Sequence, residues 1–367
     1  MPTTKRIGID ARLMYQTGVG VYIRNLLFFL SQQYIENVEF YIYASVDDTT
    51  RFVTLNKEVA RCKAFHFCEC EVGWHGFAEQ TLFLWQLMQD HLDLMHFTYF
   101  SWPVFYPGAF VATVHDITPL TYVTGRLSVQ HPFWYRIKHQ IFQFAFTRLI
   151  TKAARLIVPT RAVERQIMEY FNITAERITP IYEGLNYEFP RESVSPSLSY
   201  PYLLYVGNFY PHKNVESLIE AFTKIEDKGD FRLVLAGPEN YFSRHLPPSD
   251  RVIVRTDLKS QDLADLYKNA YALVFPSFAE GFGLPVIEAM HFGVPLLLSD
   301  IPVFHEIAGD QAVYFDPHSI ESLHNLIQST IHSVSLDRLK PTYLDETKFS
   351  FRNMAELTLK IYTDTVR

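Results

Sequence analysis

Residues Ala279-Glu280-Gly281-Phe282-Gly283-Leu284-Pro285-Val286-Ile287-Glu288-Ala289-Met290 place two carboxylates and two glycines where a strand turns into a helix. The run before them, Ala272-Leu273-Val274-Phe275, is short and apolar and is stopped by Pro276-Ser277, which reads as a buried parallel strand because proline cannot continue a central ladder. Pro285 suits the first helical position, where a missing N–H costs nothing, and Gly293 closes the helix before the next apolar run, Val294 to Ser299. The pattern predicts a βαβ unit with its loop at the carboxyl end of a strand, where open α/β sheets bind ligands. Gly281 and Gly283 let backbone N–H groups approach a polar ligand, Glu280 points from the loop, and Glu288 is expected in the first helical turn, favoured by the helix dipole and able to accept from vicinal hydroxyls. A capping carboxylate and a solvated helix residue are the plainer alternative.

The same alternation extends outward in both directions. Tyr202 to Val206, Arg232 to Ala236, Val252 to Val254, Ala272 to Phe275 and Leu296 to Ser299 are strand candidates on the carboxyl side, and Arg6 to Asp10, Val38 to Tyr43, Leu94 to Phe97, Val111 to Val114 and Leu156 to Pro159 on the amino side. A serine- and proline-rich stretch, Glu192 to Pro201, separates them as a linker. Each half therefore reads as a doubly wound α/β sheet, residues 1–192 and 200–349, with ligand expected in a cleft between them. At 367 residues and 42.7 kDa the chain has room for two such domains.

Composition narrows the class. Hydrophobic residues at 48% and charged residues at 20% describe a globular protein, and no apolar run reaches the roughly 20 residues that span a bilayer. The start, Met1 to Arg6, shows no cleavage signature, so a cytoplasmic location is expected. A net charge of -7 argues against nucleic acid as a partner. The charge is uneven, however: residues 117–163 hold no acidic residue, while Arg126, Arg136, Lys138, Arg148, Lys152, Arg155 and Arg161 are interleaved with Phe133, Trp134, Tyr135, Phe142, Phe144 and Phe146. This basic, aromatic region, 126–161, is either a solvated helix face or a peripheral contact with anionic headgroups at the inner face of a membrane or with a lipid-linked acceptor. Cys62, Cys68 and Cys70 lie near His66 and His75 without a second well-spaced pair, which reads as reduced thiols and not as zinc ligands.

Three further constellations bear on chemistry. Lys213, after the strand ending at Val206-Gly207-Asn208 and just ahead of a helical pattern, is placed to neutralise a diphosphate beside a helix N-terminus. Gly18 and Gly20 sit in a loop read between the strand Ile7 to Asp10 and a helix from Tyr22, admitting phosphate or acceptor, although a plain turn fits equally. His115, with Asp116, follows a buried strand and is either a sugar-contacting or a structural histidine.

Taken together, Thr17 to Gly20, Val114-His115-Asp116, Tyr205 to Gly207 with Lys213-Asn214, and Pro276 through Met290 closely resemble the family 4 retaining glycosyltransferases, specifically their mannosyltransferase-like branch. The resemblance implies a GT-B fold: two Rossmann-like domains facing across a cleft, with the final helix, within 350–367, returning to the first. By the same resemblance Glu280 contacts the donor sugar, Glu288 the ribose, and the amides of Phe282, Gly283 and Leu284 the sugar hydroxyls; Lys213 meets the diphosphate, His115 the sugar, and Gly18 to Gly20 the phosphate and acceptor side. His115, Glu280 and Lys213 are its catalytic candidates, and Gly281 and Asn208 complete the donor set. Asn208 stands where the family commonly has arginine, and Glu183-Gly184 where Asn-Gly is commoner. The implied reaction moves a hexose, with mannose from GDP-mannose favoured, to a glycan or lipid-linked acceptor in cell-envelope polysaccharide synthesis, after closure that excludes water. The chain has no Asp-x-Asp element, so no metal and no cofactor are expected. A UDP-sugar donor, a sugar-nucleotide epimerase or hydrolase on the same fold, and a non-catalytic binding subunit are the alternatives. The base is not legible, although Asp257 has the acceptors to read guanine's N1 and N2 donors.

Overall fold

A computed structural model describes residues 4–33, 35–122, 132–192, 198–332 and 343–366, with backbone alone at 17 and 132–135. The chain divides into two compact units, one of Met1–Ile117, Arg136–Asn186 and Ser350–Arg367, the other of Thr118–Tyr135 and Tyr187–Phe349. Arg126 and residues 193–197 of the serine-rich stretch lie outside the described residues, as do the side chains of Phe133, Trp134 and Tyr135.

The first unit carries seven strands, β1 Lys5–Asp10, β2 Val38–Ala44, β3 Phe65–Glu69, β4 Leu94–Phe97, β5 Phe110–Thr113, β6 Arg155–Val158 and β7 Ile178–Pro180, in the order β3-β2-β1-β4-β5-β6-β7. The second carries β8 Tyr202–Val206, β9 Arg232–Ala236, β10 Val252–Arg255, β11 Ala272–Phe275, β12 Leu296–Ser299 and β13 Ala312–Phe315, in the order β10-β9-β8-β11-β12-β13. All neighbours are parallel. Both sheets are thus Rossmann-like, and the strand order reverses once in each, between β1 and β4 and between β8 and β11. Those two switch points open crevices at the strands' carboxyl ends.

Hydrophobic runs account for the central strands. Tyr202 to Val206, Ala272 to Phe275 and Leu296 to Ser299 are buried at every position, as strands covered on both faces must be. The three strands that patterning did not single out, β3, β7 and β13, are all sheet edges. An edge strand is covered less completely, and its mixed burial, most visible in β3 and β13, blurs the apolar run. Cys68 lies in β3, and Cys62, Cys68 and Cys70 are free thiols; no grouping suited to a metal occurs among the described residues. Among those residues no helix is long and apolar enough to cross a membrane.

The last helix, Phe351–Thr365, belongs to the first unit. Its Ser350 caps Asn353 N, Arg352 reaches Gln32 Oε1 at 3.1 Å and lies over Phe29, and Tyr362 enters the core. There Tyr362 Oη is 2.5 Å from His96 Nδ1, His96 Nε2 is 2.8 Å from Thr113 Oγ1, and Thr113 meets Tyr22 Oη at 3.0 Å. One polar chain therefore joins the last helix, β4, β5 and the helix Thr17–Leu30. Burial lowers His96 to about 3, with His115 contributing, so the ring is neutral in the fold. The folded value lies below the unfolded one, so the stabilisation is complete above about pH 6.5 and is lost as pH falls below it. Urea unfolding between about pH 7 and 5 should show the wild type losing up to ~1.4 kcal/mol per pH unit more than His96→Gln; parallel pH dependences would contradict it.

Candidate functional site

In the second unit the loops leaving β8 and β11 bring Lys213 and Glu280 together at the crevice. The chain leaving β8 forms a short 3-10 turn, Pro211–Lys213, then the helix Val215–Thr223; the chain leaving β11 runs through Glu280 into the helix Leu284–His291. Lys213 Nζ lies 2.7 Å from Glu280 Oε1, and both side chains are largely buried. This ion pair forms because a single side chain holds the two loops together. Asn214, itself buried and left-handed at φ 57°, donates through Nδ2 to Pro276 O at 3.1 Å and Pro317 O at 3.0 Å. Phe278 N adds a bond to His212 O at 2.9 Å. The loops after β8, β11 and β13 are thereby tied at one point.

Gly283 begins the helix at φ 99°, a left-handed conformation, and a Cβ there would stand 3.1 Å from the Phe304 ring. The first N–H groups of a helix have no acceptor in its own ladder, so the amides of Gly283 and Leu284 remain for an anion or hydroxyl, while Pro285 offers none. Phe282 is buried, edge-on to Phe349, and Gly281 is buried beside it. Asn208 is half-buried, and its carbonyl accepts from the Tyr205 hydroxyl; its amide brings no charge to stand in for an arginine. Asp257 lies past the end of β10 at φ 55°, ahead of the helix Ser260–Asn269.

Glu288 requires a correction. The helix starts at Leu284, so Glu288 falls beyond the first turn, and the helix dipole is not what receives it. Its partner is Tyr267 from the helix Ser260–Asn269, whose hydroxyl donates to Oε2 at 2.7 Å. Burial raises the carboxyl to about 7, and the tyrosine bond pulls it the other way. Tyr267 is fully buried between Phe189 and Phe292, so an apolar packing position in the sequence supplies a polar contact. Sequence reasoning missed it because tyrosine at helical spacing reads as core.

In the first unit, His115 follows β5. Its Nε2 is 3.0 Å from Thr98 O, its Nδ1 faces Glu183 Oε1 at 3.4 Å, and Tyr22 packs edge-on at 5.0 Å. Both ring nitrogens thus meet acceptors of the chain itself. Glu183, buried, gains a place as the partner of His115, which the sequence left open. Gly18 and Gly20 also need correcting: they lie in the first turn of the helix Thr17–Leu30 and not in a loop before it, and Gly20 N already bonds Gln16 O at 3.0 Å. A Cβ on Gly20 would come within 2.6 Å of Met14 O, so its bareness serves the packing of the helix on the preceding turn.

A second buried cluster occupies the first unit's switch point and was not anticipated. Arg12 binds Asp10 through Nε and Nη2 at 2.9 and 2.7 Å, and Nη2 also meets Glu79 Oε1 at 2.8 Å; Ser101 donates to the same Glu79 oxygen. The guanidinium stacks 4.0 Å over Phe83, and burial raises the Glu79 carboxyl against the pull of Arg12 and Ser101. Asp10-Ala11-Arg12 gives no spacing signal, because Glu79 arrives from 67 residues away.

Two parallel sheets of this kind, with Lys213 and Glu280 paired at the crevice of the second, are the frame on which the family comparisons bear. A family model described as glycosyltransferase family 4 matches residues 16–189, and one described as glycosyl transferases group 1 matches residues 188–340. The two models together span residues 16–340; the chain belongs to the family 4 glycosyltransferases, has the GT-B fold and is similar to mannosyltransferases of O-antigen synthesis. It is 30% identical over 222 residues to the O-antigen chain mannosyltransferase RfbU of Salmonella typhimurium, a match covering 59% of each chain. It is 27% identical over 231 residues to O-antigen chain mannosyltransferase B of Escherichia coli, covering 57% of this chain and 61% of that protein. The chain thus spans about three-fifths of the length of the curated relatives it matches. Among solved structures, sucrose-phosphate synthase from Thermosynechococcus elongatus superposes with a TM-score of 0.72 at 17% identity, covering 98% of both chains.

Replacing Asn214 with Ala strands two buried carbonyl groups, each costing about 1–3 kcal/mol. The variant should lose about 2–4 kcal/mol in denaturant unfolding, whereas Asn325→Ala, at an exposed helix position, should change little. Equal stability of Asn214→Ala and wild type would show that the three loops are held by other contacts.

Proposed function

We propose that this protein is a retaining, metal-independent hexosyltransferase that moves mannose from GDP-mannose to a glycan or lipid-linked saccharide in cell-envelope polysaccharide synthesis, acting in the cytoplasm at the inner face of the membrane. The observation that carries this reading is the Lys213–Glu280 pair at 2.7 Å, delivered by the two strands that flank a switch point and set at a helix N-terminus. A nucleotide sugar brings a diphosphate for the ammonium and a hydroxylated ring for the carboxylate. On this reading the donor exchanges with Glu280 as the counter-ion of Lys213 and frees the carboxylate to accept from sugar hydroxyls. The leaving group is a nucleoside diphosphate, whose developing charge is met by Lys213 and by the amides of Gly283 and Leu284. Glu288 keeps Oε1 for the ribose while Tyr267 occupies Oε2. Transfer with retention, the leaving phosphate taking the acceptor's proton, is the part of this reading that family membership supports. Mannose and the envelope acceptor are supported by the names of the two O-antigen relatives.

Radiolabelled GDP-mannose supplied with a lipid or glycan extract should yield labelled acceptor, with EDTA leaving the rate unchanged. Epimerised donor, free sugar alone, or binding without turnover would each select a rival activity. Lys213→Ala should lower kcat/KM by about 10²–10³-fold with the circular dichroism spectrum unchanged. Thermal shift should favour GDP over UDP.

Ionisation of Glu288 near pH 7 has its own consequence. Only the carboxylate accepts from both ribose hydroxyls, so donor affinity should rise from about pH 6 to 8 and level off. Glu288→Gln should flatten that rise. Tyr267→Phe, which removes the bond that favours ionisation, should move its midpoint upward; an unmoved midpoint would remove Glu288 from nucleotide binding.

A further inference from the structure

The helical segment after residue 78 in the first unit is turned the unusual way round. It begins as a π-helical turn, Glu79–Phe83, and continues as Leu84–Gln89. Its buried side holds Glu79, bound to Arg12, with Phe83 and Leu87, while the side facing solvent holds Leu82, Trp85 and Met88, preceded by Phe77. Phe77 is 85% exposed and Trp85 65%. Solvation does not account for an outer face of this composition.

A second helix continues the surface. Gln80 is bonded to the backbone at Trp102 and Val104, and Arg148 of the helix Pro132–Lys152 reaches Val104 O at 3.3 Å from the other side. Between the two helices Phe105 stands 68% exposed, with Arg148 over its ring at 5.5 Å and over that of Phe144 at 5.8 Å. Ile137, Ile141 and Phe144 follow one another at spacings of four and three along that helix, all exposed. With Trp74, these segments carry nine of the sixteen exposed large hydrophobic side chains among the described residues. That share identifies a built surface and not scattered exposure.

Charge decides what covers it. The chain carries a net -7, yet the Pro132–Lys152 helix has no acidic residue, and Arg136, Lys138 and Lys152 are exposed on it. A second copy docked about a two-fold axis would set these cations against themselves, with no carboxylate from that helix to neutralise them. Aromatic and aliphatic side chains beside cations suit an interface that is apolar below and anionic at its surface. We propose that this face seats the protein on an anionic lipid bilayer, with Phe77, Trp85 and Phe105 entering the headgroup boundary and Arg136, Lys138 and Lys152 meeting lipid phosphates. Such seating would deliver a lipid-linked acceptor to the enzyme, but it does not depend on the transfer reaction and is measurable without donor.

The test is co-sedimentation of the full chain with vesicles of phosphatidylcholine alone and of phosphatidylcholine with phosphatidylglycerol, over a salt series. The wild type should bind the anionic vesicles, release them as salt rises, and show tryptophan quenching by brominated lipid. Lys138→Glu should weaken binding at least about fivefold. The doubly exposed change Phe77→Ser with Trp85→Ser should weaken it at least about tenfold while leaving the unfolding midpoint unchanged. Absence of binding, equal binding to neutral vesicles, or wild-type binding by the double variant would overturn the proposal. So would a dimer in size exclusion that the same substitutions convert to monomer without vesicle binding. Loss of transferase activity with vesicle binding intact would instead count against the proposed function alone.

Discussion

The second unit's site depends on one buried amide. Asn214 spans the ends of three strands, donating to carbonyls after β11 and β13 while its own backbone turns the chain from β8 into a helix. A parallel sheet leaves its carboxyl-end loops without partners of their own, because the ladder ends where the strands end. Loops held only by packing would let Lys213 and Glu280 drift, and a 2.7 Å contact between residues 67 apart requires both loops to be fixed. The left-handed conformation Asn214 adopts is one that asparagine tolerates better than most residues, which lets a single position serve as turn, helix start and clamp.

The two units use buried polar groups differently. In the second, Glu288 has a tyrosine hydroxyl as its partner, and burial outweighs that bond and raises its carboxyl to about 7. In the first, Arg12 is clamped by two carboxylates, and His96 is locked neutral between Tyr362 and Thr113. Those arrangements tie Arg12 and His96 to partners within the same unit. A neutral buried histidine, and a guanidinium whose charge faces two carboxylates, avoid the penalty of an isolated charge in a low dielectric, although Arg12 Nη1 is left without a hydrogen-bond partner among the described residues. Glu183 follows the same logic by facing His115.

Legibility in the sequence followed the range of the interactions. Central strands were readable because burial on both faces writes an uninterrupted apolar run, as at Leu203 to Val206 and Leu296 to Leu298. Edge strands β3, β7 and β13 were not, since less complete burial leaves a mixed pattern. Lys213, Glu280 and Gly283 were readable because strand-turn-helix punctuation is local. Helix starts were less so: Gly18 and Gly20 look like loop residues, but the helix begins at Thr17, and the glycine serves close packing on Met14. The same one-turn uncertainty put Glu288 on the helix dipole, when a side chain from another helix receives it.

The sequence by itself determined the class of the protein: two doubly wound sheets, a strand-to-helix turn with paired glutamates, and a lysine ahead of a helix. These are set by periodicity and turn chemistry over a few residues, which any fold of the chain must respect. Only the tertiary structure decided the partnerships. Tyr267 with Glu288, Glu183 with His115, and Arg12 with Asp10 and Glu79 each include a member that reads alone as packing or solvation. Their meaning depends on which strand ends the crossovers bring together, and on a burial that turns an ordinary side chain into one that must find a partner.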